Sequence, residues 1–348
     1  MTTALSLFAG CGGDSLGLEM AGCSVEAMVE KLVPAIASHH ANFPQCPQLL
    51  GPGGITDITK IPDEVFEPYE GKIDIVFAGF PCQGFSHAGK KQVDDPRNQL
   101  YLHFVRAVRL IRPLFVIGEN VPGLLTRLGP DGFPFFNIIS EAFQEIGYTL
   151  TAQVLNASDY GVPQARKRLL MVGWENCYHP QLTPEVFWTR VATHRQPSIP
   201  MSSFLQRTLE GGLLLENNQV PVGFDTVALT VDTKIQVTGT PHPYLRLKVN
   251  GLLSVGKRIS PNHAEVINPE QPSKTIICTY DHQPRLLVGV RTGTKRYVRC
   301  LLPDELKQIQ GFPSSYILTG SIKDQIIQVG NAVPPLLVSA VARSLLDK

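Results

Sequence analysis

The 348-residue sequence lacks any run of roughly 18 to 20 apolar residues, the length a membrane-spanning helix needs. No basic residue precedes Lys31, so the apolar start MTTALSLFAGCGG does not match a secretory signal and reads as a strand entering a glycine loop. It also lacks a C-x-x-C pair. Its seven cysteines (11, 23, 46, 82, 177, 278 and 300) are odd in number and scattered, which argues against a disulfide framework or a structural zinc site and for a reducing, cytoplasmic setting. No internal repeat or low-complexity tract is present.

Net charge is only +1, but it is unevenly placed. Residues 1–173 hold 13 Lys/Arg against 17 Asp/Glu, whereas 234–300 hold 11 against 3. The basic stretch is either a solvated face or a surface for phosphates, whose counterions Lys and Arg displace.

The first 173 residues alternate short apolar runs with helical patterns. Strands are expected at Ala4–Leu7, Ser24–Val29, Ile73–Ala78, Leu114–Ile117 and Leu169–Val172. Helices are expected at Asp14–Ala21, with Asp14 as N-cap, at Pro34–His40, around Leu100–Ile111 and at Phe135–Ile146. This alternation predicts an α/β fold with a doubly wound, mostly parallel sheet. After about residue 190, Pro, Gly, Thr and short alternating segments predict a smaller, irregular, β-rich domain. Helical pattern returns at Pro303–Gln310 and Pro334–Leu346.

Several short blocks stand where such sheets carry chemistry, beyond the carboxyl ends of strands. Phe8-Ala9-Gly10-Cys11-Gly12-Gly13 follows the first strand, and Glu30 ends the second, where a carboxylate can accept from ribose hydroxyls. The pattern suits a nucleoside cofactor, a nicotinamide dinucleotide among them, or a structural turn; Ser15 stands where a dinucleotide loop has Gly or Ala. Gly79-Phe80-Pro81-Cys82-Gln83-Gly84-Phe85-Ser86 puts a cysteine at a central strand end, either a buried small hydrophobe or a nucleophile exposed by a polar, glycine-dotted loop. Gly118-Glu119-Asn120-Val121 offers a carboxylate that is an acid or a cap. In Gln164-Ala165-Arg166-Lys167-Arg168, the two arginines share a face if extended, or form a solvated turn.

Together these blocks resemble the DNA (cytosine-5) methyltransferase family of prokaryotic restriction-modification systems. LFAGCGG, GFPCQGFS, DPRNQLY, ENV and QARKR occur in that order. Arg299-Cys300-Leu301, Gln310-Gly311-Phe312-Pro313 and Gln328-Val329-Gly330-Asn331-Ala332-Val333-Pro334 follow. The resemblance covers the chain outside about 175–270. It implies a Rossmann-like catalytic domain over 1–185 that binds S-adenosyl-L-methionine and releases S-adenosyl-L-homocysteine. It further implies a target-recognition domain over 186–300, a hinge over 301–325 and a C-terminal helix over 326–348 returning to the catalytic domain.

The implied reaction transfers a methyl group to C5 of a flipped-out cytosine in a specific duplex sequence, without a metal. Cys82 would add to C6 as thiolate, Glu119 would serve N3 and the exocyclic amine, and Arg168 would serve O2. Arg166 would hold the site together or contact the backbone. A free thiol is only a few per cent ionised at neutral pH, so it must lose its proton on substrate binding. Attack from above the ring plane requires the base out of the stack. Phe8 would stack near adenine, with Gly10, Cys11 and Gly13 along the methionine. Glu30 would bind ribose, Asp57 and Ile58 the adenine, and Pro81, Leu100, Asn331 and Ala332 would close the pocket. Lys31-Leu32 departs from the aromatic or acidic residue usual after the glutamate. Gln83 and Ser86 would contact DNA around the flipped base. Arg246, Lys257 and Arg258 are candidate contacts in the basic stretch, with His263, Tyr280 and His282 as further guesses. The expected partners are double-stranded DNA and a cognate restriction endonuclease, with no membrane, and the protein is expected to be a monomer. Rival readings are a tRNA methyltransferase of the same chemistry, a non-catalytic DNA-binding homologue and a nicotinamide dehydrogenase.

Overall fold

The structure is a computed structural model that describes residues 1–81, 99–129, 132–177, 181–231, 252–260, 263–280 and 285–347. In chain order, its first elements are β1 (Thr2–Leu7), α1 (Gly13–Met20), β2 (Cys23–Val29), α2 (Val33–Asn42), β3 (Ile75–Ala78), α3 (Tyr101–Ile111), β4 (Phe115–Asn120), α4 (Phe135–Glu145) and β5 (Tyr148–Asn156). β6 (Gln164–Ala165), β7 (Lys167–Glu175), α5 (Pro184–Thr193), β8 (Leu213–Leu214), α6 (Phe224–Val227), β9 (Leu229–Thr230), β10 (Leu253–Val255), β11 (Ala264–Val266) and β12 (Ser273–Lys274) follow. β13 (Leu286–Thr292), β14 (Lys295–Cys300), α7 (Pro303–Ile309), α8 (Ile322–Asn331) and α9 (Pro335–Leu346) end the chain. Contacts divide it into two units: Met1–Tyr160, Lys167–Pro197 and Ala332–Lys348 form the first, Gly161–Arg166 and Ser198–Asn331 the second.

The first unit is built on a sheet ordered β2-β1-β3-β4-β7-β5. The β1–β2, β1–β3 and β3–β4 pairs are parallel. Every residue of β3 is buried, as a strand covered on both faces requires. α3 presents Phe104, Ala107, Val108 and Ile111 to the core at helical spacing. β1 lies between β2 and β3, so the chain leaves it toward one side and returns on the other. The crevice beyond the carboxyl ends of β1 and β3 is therefore the switch point at which such sheets bind ligands.

Three features differ from the sequence expectation. β7 runs antiparallel to both β4 and β5. β5 itself was not foreseen: only Tyr148 and Leu155 of this edge strand are buried, so TLTAQV carries no apolar stripe to announce it. Asp14 is not the N-cap of α1. Gly12, in the left-handed conformation, takes that place, and Asp14 falls in the first turn.

The second unit has a sheet ordered β10-β11-β13-β14-β8, with β9 added to β13. Phe224, Val266, Leu287, Val290, Val298, Leu301 and Leu306 fill its core. Its short strands are braced by charge. Arg299 and Glu305 are fully buried and doubly bonded, at 2.7 and 2.8 Å. Arg299 also donates to the carbonyls of Gln206 and Thr208, while Glu305 accepts from the Gln206 and Leu302 N–H groups. The apolar stretch Ile322–Leu346 could span a bilayer by length and composition, but 78% of its most apolar window is buried in the fold.

Candidate active site

The glycine loop turns sharply out of β1. Phe8 has φ 58°, uncommon for an aromatic residue, and Gly10 and Gly12 have φ 54° and 89°. The Gly10 N–H donates to Glu30 Oε2 at 2.8 Å, and the Lys31 and Leu32 N–H groups donate to Oε1, also at 2.8 Å. Glu30 thus fixes the loop against the end of β2. Of about four acceptor directions on a carboxylate, three are taken by backbone. A Cβ built on Gly10 would meet nothing within 4 Å, so the loop faces open space. Gly13 opens α1 and is buried. Cys11 is buried too, and burial, reinforced by the nearby Asp14 carboxyl, pushes its thiol up to about 12.

Beside this loop, Asp57 caps the turn Ile58–Lys60. Its Oδ1 accepts from the Thr59 N–H at 3.1 Å and the Thr59 hydroxyl at 2.9 Å, and Lys31 Nζ stands 3.9 Å from Oδ2. Burial opposes ionisation, but these bonds and Lys31 hold the Asp57 carboxyl below its ordinary value. Ile58, Leu100 and Ala332 are buried in the first unit, where Pro81 is exposed; Asn331 is exposed at the end of α8 in the second.

At the next strand ends, β3 runs into Gly79, Phe80 and Pro81. Cys82, Gln83 and Ser86 lie outside the described residues. Glu119 Oε2 lies 3.9 Å from where a Cβ on Gly79 would stand. Buried Asn120 donates to the Phe80 carbonyl at 3.1 Å and accepts from the Val121 N–H at 2.9 Å, holding this segment against β4. Because β7 is antiparallel to β4, its first residues meet the last residues of β4: Leu170 pairs with Glu119 and Leu169 with Asn120. Arg168 therefore reaches Glu119, its Nε 2.8 Å from Oε1, with the side chains 13% and 12% exposed. Arg168 also donates to the Lys167 carbonyl at 2.8 Å.

Arg166 is engaged elsewhere. In the second unit it is buried and donates to the carbonyls of Ile276 at 2.9 Å and Gly330 at 2.8 Å. Gln164 donates to Gln310 at 2.5 Å and accepts from the Ile276 N–H at 2.9 Å. Gly330 is required there, since a Cβ would fall 2.3 Å from the Cys278 nitrogen. One short block thus supplies Gln164 and Arg166 to brace the second unit and Arg168 to the carboxylate in the first. No role had been read for Asn120 or Gln164, although the ENV and QARKR blocks contain them.

Among the candidate DNA contacts, Lys257 is exposed, whereas Arg258 stands 4.0 Å from buried Glu265, which Lys274 also bonds. Arg246 and His282 lie outside the described residues. His263 bonds Ser254 at 2.7 Å. Tyr280 is buried, donating to the Leu286 carbonyl at 2.7 Å and accepting from the Leu301 N–H at 2.8 Å, which removes it from any base-reading surface.

Residues 2–347 match the family described as C-5 cytosine-specific DNA methylase. The chain is 30% identical over 356 residues to the Type II methyltransferase M1.HphI of Haemophilus parahaemolyticus, covering 99% of this chain and 86% of that protein. A solved structure of a DNA modification methyltransferase encoded within an E. coli prophage superposes with TM-score 0.69 at 22% identity over 99% of both chains. Spodoptera frugiperda DNMT2 superposes with TM-score 0.66 at 17% identity over the whole of both.

Proposed function

The chain belongs to the C-5 cytosine-specific DNA methylase family and is a DNA cytosine-5 methyltransferase of the restriction-modification type, and from that premise we propose that it methylates a flipped-out cytosine through a covalent Cys82 adduct, with S-adenosylmethionine bound at the glycine loop. The observation that carries this reading is the Glu119–Arg168 pair beside Gly79, at the start of the segment that leads to Cys82.

The residues around the loop fit an adenosyl ligand. Open space lies above Gly10, Glu30 Oε2 keeps an acceptor direction for a ribose hydroxyl, and Asp57, whose Oδ2 stands 3.9 Å from Lys31 Nζ, would accept from the adenine amino group. S-adenosylmethionine supplies a methyl group on a cationic sulfur, an electrophile that cytosine C5 cannot attack unaided.

Cys82 makes C5 nucleophilic by bonding to C6. The electron pair that leaves the C5–C6 double bond makes the ring an enamine with charge at N3 and O2. Glu119 holds a proton at N3 and accepts from the exocyclic amine, and Arg168 donates to O2. Arg168 already fixes the Glu119 carboxylate before any base arrives, so the stabilising groups are preorganised. Once C5 has taken the methyl group, loss of the C5 proton to water re-forms the C5–C6 double bond and expels the Cys82 thiolate. Arg166 acts as a positioning residue through the Ile276 and Gly330 carbonyls. Gln83 and Ser86 contact DNA beside the flipped base, and Arg246 and Lys257 contact phosphates, whereas Arg258 is turned toward the Glu265 carboxylate. The protein acts as a cytoplasmic monomer on duplex DNA, alongside an endonuclease that cuts the same unmethylated site.

The test is incorporation of labelled methyl from S-adenosylmethionine into mixed-sequence duplex DNA and into tRNA, followed by nucleoside analysis. The expected product is 5-methylcytosine in DNA, absent with Cys82→Ser. Label only in tRNA, or methyl on the exocyclic nitrogen, would contradict the reading.

A further inference from the structure

Beneath the glycine loop lies a second carboxylate, to which the mechanism gives no task. Asp14 stands in the first turn of α1, 3% exposed, and accepts a hydrogen bond from the fully buried Ser6 hydroxyl on β1. Its own N–H and that of Ser15 point to it as well. A carboxylate suits a helix N-terminus, but so does a neutral Asn, without the penalty of burying a charge.

The groups around Asp14 do not neutralise it. Those in electrostatic reach of it are Cys11 from the loop, Glu30 from the end of β2 and Cys46 beyond α2, and among these described groups there is no cation. His39 on α2 meets the neighbouring Ser15 hydroxyl at 2.9 Å, and burial drives its pKa down to about 4, so it too stays neutral. A glycine loop for phosphate presents a helix N-terminus to an anion. A buried acid in that first turn, with Glu30 nearby, works against an anion and favours a ligand with positive charge.

Resting on the reading that this loop holds S-adenosylmethionine, we propose that Asp14 is a specificity-determining residue that recognises the sulfonium charge, so that the protein holds the cationic cofactor in preference to the neutral product S-adenosylhomocysteine. The two ligands share the adenosine and the amino-acid zwitterion and differ in charge only at sulfur, so their affinity ratio isolates this interaction. Burial pushes the Asp14 carboxyl up to about 7, opposed by the Ser6 hydroxyl, and its charge therefore changes across neutral pH.

The test is calorimetric titration of the full chain with each ligand from about pH 6 to about pH 8.5. In the wild type, the preference for S-adenosylmethionine should rise roughly tenfold as the pH passes through the titration of Asp14. Asp14→Asn should lower and flatten that preference while changing S-adenosylhomocysteine affinity less than about twofold. Ser6→Ala, which removes the bond that favours ionisation, should move the midpoint upward, and it carries the test if Asp14→Asn does not fold. Equal loss of both ligands in Asp14→Asn would make the residue a structural prop and overturn the proposal, as would a pH-dependent preference that survives the substitution. If the wild type binds neither ligand, the cofactor assignment itself fails; if it binds both with a constant ratio, only this inference does.

Discussion

The two units use buried charge in opposite ways. At the strand ends of the first, Glu119 and Arg168 meet through one 2.8 Å contact and remain slightly exposed, so a base can reach them. In the second, Arg299 and Glu305 are sealed from solvent and bonded to each other and to five backbone groups, so nothing is left for a substrate. Longer strands in a continuous ladder, such as the antiparallel β4–β7 pair, position side chains through that ladder, which frees charged groups for chemistry. Strands of two to seven residues brace an irregular chain less well, and there arginines take over by bonding carbonyls. The same comparison revises the basic stretch at 234–300. Arg258, Lys274, Arg296 and Arg299 each stand beside a carboxylate, so the net charge of that stretch overstates what could face a phosphate.

The largest expected effect would sharpen the catalytic side of this contrast. Glu119→Gln should lower the single-turnover methylation rate by roughly a thousandfold or more, with duplex DNA binding and thermal stability nearly unchanged. Comparable loss of stability would mean that the pair is a brace like its counterpart. On the structural side, Arg299→Ala leaves Glu305 buried without its partner and should destabilise the protein by about 3–5 kcal/mol in urea melts, whereas Arg299→Met with Glu305→Leu should recover much of the loss. A mild single mutant would break the contrast.

A smaller effect concerns Asp14. Its carboxyl titrates near 7 in the fold and near 4 when unfolded. The folded state therefore holds the extra proton between those values. Stability falls as pH rises through this window, and the penalty is complete above the folded value. Ligand-free Asp14→Asn should melt about 5 °C above the wild type near pH 8, with the gap closing toward pH 4. A gap independent of pH would show that the buried charge is not its cause. The smallest effect is chemical. Cys11, buried with its thiol pushed up, should resist iodoacetamide near pH 8 while exposed Cys177 reacts, as read by peptide mass spectrometry; prompt labelling of Cys11 would mean that the loop opens.

Much of the first unit was legible because its strands are buried on both faces and its motif blocks sit at their carboxyl ends. The antiparallel sense of β7 was not legible, since an apolar run such as LLMV carries no direction, yet this reversal is what brings Arg168 to Glu119. An arginine in sequence also does not reveal whether it will be solvated. Arg166 and Arg168 stand two residues apart, and one bonds backbone carbonyls while the other reaches a carboxylate. Asp14 looked like a cap because caps are short and polar, but Gly12 already provides the left-handed turn that starts α1.

The most direct measurement uses duplex DNA in which cytosine is replaced by 5-fluorocytosine, whose fluorine cannot leave as a proton does. Incubated with the protein and S-adenosylmethionine, this DNA should become covalently attached, and peptide mapping should find the modified pyrimidine on Cys82. Efficient methylation of ordinary DNA without any such adduct, or an adduct on another residue, would contradict the account.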